Sequence, residues 1–380
     1  MPKKRKLPDD LLMIAAPEHD ANMLYATRFP APDAFVFLRL HKRKIVLVSD
    51  LELGRARDQA EVHRVVSVMR LQKALKKAGV KRPTLSHIVA AVCRKARVKR
   101  LTVPSNFPYG MALALRRKGL RLFPKADPFF EDRVVKEPEE LRAIEQSQRH
   151  TEEAVERAIH VIRRSKIRGN RLYYDGEVVT SESIRRVINV SLMENECVAS
   201  DTIVACGKDG CDPHCTGSGP FKPNQTIIMD VFPRSTRTRY FADMTRTVVK
   251  GRATEAQKCL YAAVLQGQHY AFERIKDGAD GKKIHAGIVK LFDSMGYKTG
   301  PKNGKMVGFF HGTGHGVGLD IHESPSIGIR GTKLATGHVV TVEPGLYYPG
   351  IGGVRLEDMV LVGEKGCRNL TKAPKFLEVP

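Results

Sequence analysis

Three absences bound this chain of 380 residues before any motif is read. It has no run of eighteen apolar residues, so no membrane-spanning helix is expected. Its first ten residues, MPKKRKLPDD, carry charge with no apolar stretch behind it, so a secretory signal is not expected either. Pro2 to Lys6 resembles a nuclear import tag, but short basic pentamers are common and an exposed tail is the default. Cysteine is scarce and odd in number: 7 residues, far apart except Cys206, Cys211 and Cys215. That is no disulfide framework; it fits a reducing, cytoplasmic compartment. The third absence is of acid. From His63 to Ala126 there are 17 Lys and Arg and no Asp or Glu, within a chain of net charge +23. Such a field attracts anions, nucleic acid among them. No aromatic-rich RNA-binding signature or zinc-finger spacing accompanies it, so a solvated basic face is the favoured reading.

What is present describes a folded protein. Apolar residues make up 42% and charged residues 28%, enough for a sizeable core, and the length suits two domains. Phe35–Leu38 and Ile45–Val48 read as a hairpin. Residues 55–78 place Val62, Val65, Val66, Met69 and Leu75 at helical spacing. Thr84 caps a helix running to Val92. Leu101–Val103 and Leu120–Phe123 read as strands around a helix at Met111–Lys118. Residues 1–130 are therefore expected to form a small α/β domain. Three prolines and an acidic cluster between Pro124 and Glu140 mark the boundary. Helices are expected at 139–166, 181–194, 254–275 and 283–295. From Thr226 onward, Ile-, Val- and Tyr-rich runs between Gly and Pro turns predict strands. The second domain, 138–380, reads as α+β with a large, mainly antiparallel sheet.

Four carboxylates end apolar runs in a repeated pattern. Ile227-Ile228-Met229 leads to Asp230, and Asp243 follows thirteen residues later. The midpoint lies among Ser235, Thr236, Arg237 and Thr238, which tolerate turns. A hairpin folded there would set Asp230 opposite Asp243. Val339–Thr341 leads to Glu343, and Glu357 follows fourteen residues on, with Pro349-Gly350-Ile351-Gly352-Gly353 at the midpoint. Paired like charges destabilise a fold unless a cation compensates them. Between the hairpins lies Phe310-His311-Gly312-Thr313-Gly314-His315-Gly316-Val317-Gly318-Leu319-Asp320-Ile321-His322. It holds three histidines in twelve residues, spaced by glycines that would let the backbone approach a ligand. Four carboxylates and one imidazole suit two hard divalent ions. Cys206, Cys211, His214 and Cys215 do not have the spacing of a closed zinc site.

These motifs resemble the pita-bread metallopeptidases: methionine aminopeptidases, Xaa-Pro aminopeptidases, prolidases and creatinase. The resemblance is strong over about residues 138–368. Tyr240–Thr247 resembles the family's second-aspartate strand, and Thr341-Val342-Glu343-Pro344-Gly345 its first-glutamate strand. The resemblance implies metal ligands Asp230, Asp243, His315, Glu343 and Glu357, with Asp243 and Glu357 bridging two ions. Mn²⁺ is the leading candidate, with Co²⁺, Zn²⁺ or Fe²⁺ as alternatives. It implies a substrate-side role for His214, in Asp212-Pro213-His214. His322 would steady the tetrahedral intermediate, and His311 and Arg355 would position the proline side. Glu343 would move the proton.

The spacing from Asp230 to Asp243 exceeds the family's usual one by two residues, which preserves strand parity. The added Arg234, Arg237 and Arg239 are expected to be solvated. Leu24–Phe29 and the strands after it resemble the small domain of prolidases and creatinase, which methionine aminopeptidases usually lack. Methionine aminopeptidases also lack the first histidine of the cluster, and creatinase lacks the metal ligands. The implied activity is Xaa-Pro dipeptidase or aminopeptidase, acting on short peptides with proline second. A homodimer is implied as well. The alternatives are a metal-dependent enzyme of this fold with a non-peptide substrate, and a polyanion- or RNA-binding protein using the basic 63–126 segment.

Overall fold

Alternation of period two organises the N-terminal strands in the computed structural model, which describes residues 7–380. The basic run Pro2–Lys6 lies outside the described residues. The chain divides into two units, residues 1–133 and 134–380.

In the first unit six strands form one mixed sheet: β1 (Leu11–Ala15), β2 (Phe35–Leu40), β3 (Arg43–Val48), β4 (Arg64–Ser67), β5 (Arg100–Pro104) and β6 (Arg121–Lys125). Their order is β4-β3-β2-β1-β5-β6. Strand β2 runs antiparallel to β1 and β3; the other pairings are parallel. Leu12, Val36, Leu38 and Leu47 point to one face. There they pack with Ile88, Val89 and Cys93 of helix α4 (Leu85–Lys95) and Leu115 of α5 (Tyr109–Arg117). Leu11, Met13, Phe35, Phe37, Val46 and Val48 point to the other face. They meet Met23 and Ala26 of α1 (Ala21–Thr27), Ala56 of α2 (Leu53–Gln59) and Phe29. Two buried faces on one sheet make this a three-layer α/β unit. Phe29 is fully buried, with its ring 5.9 Å from that of Phe35, so it is a core residue.

One expectation fails here. Residues 55–78 are not one helix. Val65 and Val66 lie in β4, paired in parallel with β3, and helix α3 (Val68–Lys77) begins only after Ser67 caps it. Three β-branched valines in five residues favour a strand over a first helical turn.

The second unit opens with α6 (Pro138–Arg164). Proline at its first turn and a Glu137–Glu140 capping box start it, and Arg163 and Arg164 face its carbonyl end. Helices α6 and α7 (Ser181–Glu194) cover strands Ile203–Cys206, Thr226–Val231 and Met244–Lys250. Helices α8 (Glu255–Phe272) and α9 (Gly281–Ser294) cover strands Val339–Val342, Gly345–Tyr348, Gly352–Arg355 and Asp358–Val362. The large sheet expected from sequence is instead divided: a four-stranded sheet, a five-stranded sheet and shorter pairs. The unit is thus built from two helix-backed halves, each contributing one carboxylate-bearing hairpin. Among the described residues no helix is long and apolar enough to cross a membrane.

Candidate metal centre

The second hairpin is set as its sequence implies. Val342 pairs with Asp358, and Gly345 with Arg355, in a common register. Glu343 and Glu357 therefore face one another in the gap between the two ladders. That gap leaves carbonyls without strand partners. The fully buried Gln268 of α8 donates to two of them, Val342 O at 2.9 Å and Leu356 O at 3.2 Å. The carboxylates are thereby carried on irregular backbone without leaving buried carbonyls unpaired.

The first hairpin differs from its expected register. Asp230 pairs with Thr245, and Asp243 precedes the ladder by one residue. The aspartates are diagonal neighbours on one face rather than direct opposites. The cause is in the added turn residues. Arg234 still pairs with Phe241 and the Ser235 N–H donates to the Tyr240 carbonyl, so the turn closes over residues 236–239, one residue later than expected, with Arg239 at a left-handed φ of 67°. The three added arginines are not uniformly solvated. Arg237 is exposed, 3.6 Å from Glu196, whereas Arg234 is half-buried with its guanidinium over Phe241, and Arg239 is half-buried.

His315 lies on the short strand Gly314–Gly316. Gly312 and Gly314 line the cavity, and Gly314 and Gly316 also meet close packing. A Cβ on Gly314 would overlap the Thr341 carbonyl, and one on Gly316 the Ser324 carbonyl. The His315 Nδ1 lies 3.1 Å from the Gly316 carbonyl, which can only accept. The proton is therefore on Nδ1 and the Nε2 lone pair is free. That Nε2 stands 3.4 Å from Glu343 Oε1 and 3.6 Å from Asp243 Oδ2. Donor atoms of Asp243, His315 and Glu357 all lie within 4.8 Å of one another. This acid–imidazole group is a metal-binding site.

The electrostatics support that assignment. Burial, then the charges of Asp230 and Glu343, drive the Asp243 carboxyl well above its ordinary range. Burial and Asp243 do the same to Glu357. Burial pushes Glu343 up to about 8, against the pull of Arg355. Burial lowers His315 to about 3, so it is a neutral ligand. Asp230 Oδ1 and Asp243 Oδ1 are buried with no hydrogen-bond donor. Crowded carboxylates, two orphaned oxygens and a neutral imidazole suit hard divalent cations bound through oxygen and nitrogen.

The centre lines a cavity of about 350 Å³. Asp230, Asp243, His315, Glu343 and Glu357 line it, as do His214, His311, His322 and Arg355. Every site residue expected from sequence is thus at one cavity. The His322 ring stands edge-on to His315 at 4.3 Å, and burial, then the nearby His214, lowers its pKa from the ordinary histidine value. Arg355 donates to Asp230 Oδ2 at 2.6 Å and to the Tyr347 hydroxyl at 2.8 Å. The Tyr347 hydroxyl is 2.9 Å from His311 Nε2, while His311 Nδ1 lies 2.8 Å from the Gly312 carbonyl. The Gly312 carbonyl fixes the proton on Nδ1, so Tyr347 O–H donates to Nε2. A directed chain runs Arg355 to Tyr347 to His311. Burial holds His311 near 3, neutral throughout the physiological range.

Sequence reasoning missed Tyr347 and Thr245. The buried Thr245 hydroxyl donates to Glu357 Oε2 at 2.7 Å and accepts from Arg355 Nε at 3.3 Å. The correct register opposite Asp230 would have revealed it. Cys206 and Cys211 are free thiols that burial pushes up to about 11, and neither belongs to a metal-ligating group among the described residues.

A two-helix-backed, two-hairpin unit with this donor set defines a metal-dependent hydrolase of the pita-bread fold. The chain belongs to metallopeptidase family M24, whose model matches residues 142–364. It is 33% identical over 284 residues to the Xaa-Pro dipeptidase of Pyrococcus horikoshii, covering 74% of this chain and 75% of that protein. The solved Xaa-Pro dipeptidase from Bacillus anthracis superposes with a TM-score of 0.81 at 25% identity, over 97% of this chain and 94% of the other. The prolidase from Pyrococcus horikoshii superposes at 0.77 with 27% identity, over 97% and 95%. The likeness spans both units, including the small N-terminal α/β unit.

Proposed function

We propose that this enzyme hydrolyses the bond between an N-terminal residue and a following proline, as an Xaa-Pro dipeptidase or aminopeptidase. One observation carries the reading: the Asp243–His315–Glu357 group shares its cavity with the Arg355–Tyr347–His311 chain. The first suits metal-assisted hydrolysis. The second offers a fixed, polar wall for a substrate whose second residue lacks an amide N–H. Asp230 and Glu343 complete the ligand set for two ions, and Mn²⁺ suits the oxygen-rich donors best. When bound, the ions supply an acidified water and Lewis-acid polarisation of the scissile carbonyl.

The protein's own groups do the rest. Glu343, ionised once cations occupy the site, takes the proton of the attacking water and passes it toward the departing imino nitrogen. His322 donates to the carbonyl oxygen as charge develops there. His214 contacts the substrate near the scissile bond. His311 and Arg355 seat the proline side. Tyr347 and Thr245 hold Arg355 and Glu357 in place.

The test is to strip the protein with chelator and restore Mn²⁺, Co²⁺ or Zn²⁺ separately. Ala-Pro, Ala-Pro-Ala and Met-Ala-Ser are then assayed, with Glu343→Ala as the blank. Cleavage before proline is expected. Release of methionine alone, or inactivity on all three with metal bound, would contradict the proposal.

A further inference from the structure

The acid-free segment becomes a surface in the fold. Strands β5 and β6 run parallel with Arg100 beside Arg121, and the Arg121 N–H donates to the Lys99 carbonyl at 2.7 Å. Helices α4 and α5, which lead into these strands, therefore end side by side at one edge of the sheet. Two chain segments meet there. Residues 94–100 carry Arg94, Lys95, Arg97, Lys99 and Arg100; residues 116–121 carry Arg116, Arg117, Lys118 and Arg121. Eight of these nine are exposed and Lys118 is half-buried. The buried Cys93, Val98, Leu115 and Leu120 anchor the backbone beneath. The acids of this edge are Asp9 and Asp10, at the start of the neighbouring β1, and Asp10 already accepts from the His41 N–H at 2.7 Å. Among the described residues none of the nine forms an ion pair; within the whole 63–126 segment only Lys125 does, with Glu131.

Helix carbonyl ends accommodate a few cations, and the last turns of α4 and α5 hold two each. That does not account for Arg97, Lys99, Arg100, Lys118 and Arg121. Aromatic stacking is little offered: Phe123 is covered by the Arg100 guanidinium at 4.9 Å, and the exposed His41 ring is tied through Nε2 to the Ala96 carbonyl at 2.9 Å. A dense cationic edge with one tethered imidazole and no exposed Phe, Tyr or apolar wedge suits a regular phosphate array better than single-stranded bases or a lipid surface.

We propose that the edge formed by residues 94–100 and 116–121 binds the phosphate backbone of double-stranded nucleic acid without sequence preference. The proposal is independent of the peptidase reading, since none of these residues lines the metal cavity. The experiment measures fluorescence anisotropy of a labelled 20-base-pair RNA duplex, and of a DNA duplex, with the full chain. Salt is varied from 50 to 200 mM KCl. Four or five phosphate contacts predict an affinity loss of about 10²–10³-fold across that range. Arg94→Gln, Lys95→Gln, Arg116→Gln and Arg117→Gln combined should weaken binding at least tenfold and flatten the salt slope by about three units. Lys283→Gln with Lys290→Gln, on α9, should leave binding unchanged. Both variants should retain peptide hydrolysis, which reports folding. A single Arg117→Gln variant, expected to flatten the slope by about one unit, serves if the fourfold variant does not fold. No duplex binding at 50 mM KCl with micromolar protein would overturn the proposal. So would binding unmoved by the edge variants, or equal binding of polyglutamate or of phosphatidylserine vesicles.

Discussion

The two units hold charge in opposite ways. Residues 1–133 carry 29 basic and 12 acidic residues, whereas residues 134–380 carry 35 and 29. The first unit therefore has most of the net charge, +17 of +23, and it wears that charge outside. The second is nearly balanced overall but buries like charges together at Asp243, Glu343 and Glu357. Exposed cations are screened by water and salt, so their crowding costs the fold little. Buried carboxylates are not screened, and their repulsion is relieved only by protonation or by a cation. A chain can carry a surface charge excess for association alone, but an internal one calls for a ligand.

Removing one buried carboxylate should separate the two effects most sharply. Glu357→Gln should lower kcat/KM by about 10³-fold, roughly 4 kcal/mol of transition-state stabilisation. The same change should raise the thermal midpoint of the chelator-treated protein, because one repelling group is gone. Peptide hydrolysis and melting in EDTA check the two halves, and a fall in both would show that the cluster is not strained.

A buried pair of opposite sign should behave in the reverse manner. The Lys136 ammonium and the Glu323 carboxylate are in contact, 1% and 6% exposed, beside His322. Lys136→Met removes the ammonium from this buried contact and should destabilise the protein in denaturant unfolding, by up to about 3–5 kcal/mol. A loss below about 1 kcal/mol would mean the pair is not isolated from water.

The metal-free protein should also lose stability as pH rises from about 7 to 8. Glu343 holds its proton in the folded state up to about 8, while an unfolded glutamate releases it near 4.5. Between those values the folded state binds more protons, so stability present at low pH is lost as pH climbs. His311 and His315 act oppositely, but their contribution is complete by about pH 7, above the ordinary histidine value. Glu343 alone gives a fall of about 1 kcal/mol. Saturating Mn²⁺ should abolish it. Melting curves across this range, with and without metal, read the difference.

The smallest effect is expected on the surface of the first unit. Lys76→Gln with Lys77→Gln, both exposed at the end of α3, should change stability by less than about 0.5 kcal/mol. A larger change would mean that the basic face is part of the fold's own electrostatics.

Much of the second unit was legible because its signals are local. Apolar runs ending in carboxylates, a glycine turn at Gly350 and the proline- and acid-rich boundary before the helix at Pro138 each declare themselves within a few residues. The Glu343–Glu357 facing followed from one turn and holds in the structure. The Asp230–Asp243 facing did not. The turn lies one residue past the midpoint of the two aspartates, with Arg234 still paired to Phe241, and no local pattern decides between adjacent turn positions. Tyr347 and Gln268 escaped for a related reason. Each sits in an ordinary core-like run, and its importance lies in partners on other elements, such as His311 or the Leu356 carbonyl. In the first unit, Val65 and Val66 fitted helical spacing as well as a strand, and only pairing with β3 decided between them.

The central claim is that the carboxylate cluster is a metal site whose acids exchange protons for cations. Calorimetric titration of Mn²⁺ into chelator-treated protein at pH 7, in buffers of different ionisation enthalpy, tests it directly. The account predicts two ions per chain and release of at least one proton as Glu343 and its neighbours give way. Binding of one ion or none, or binding with no proton released, would contradict it.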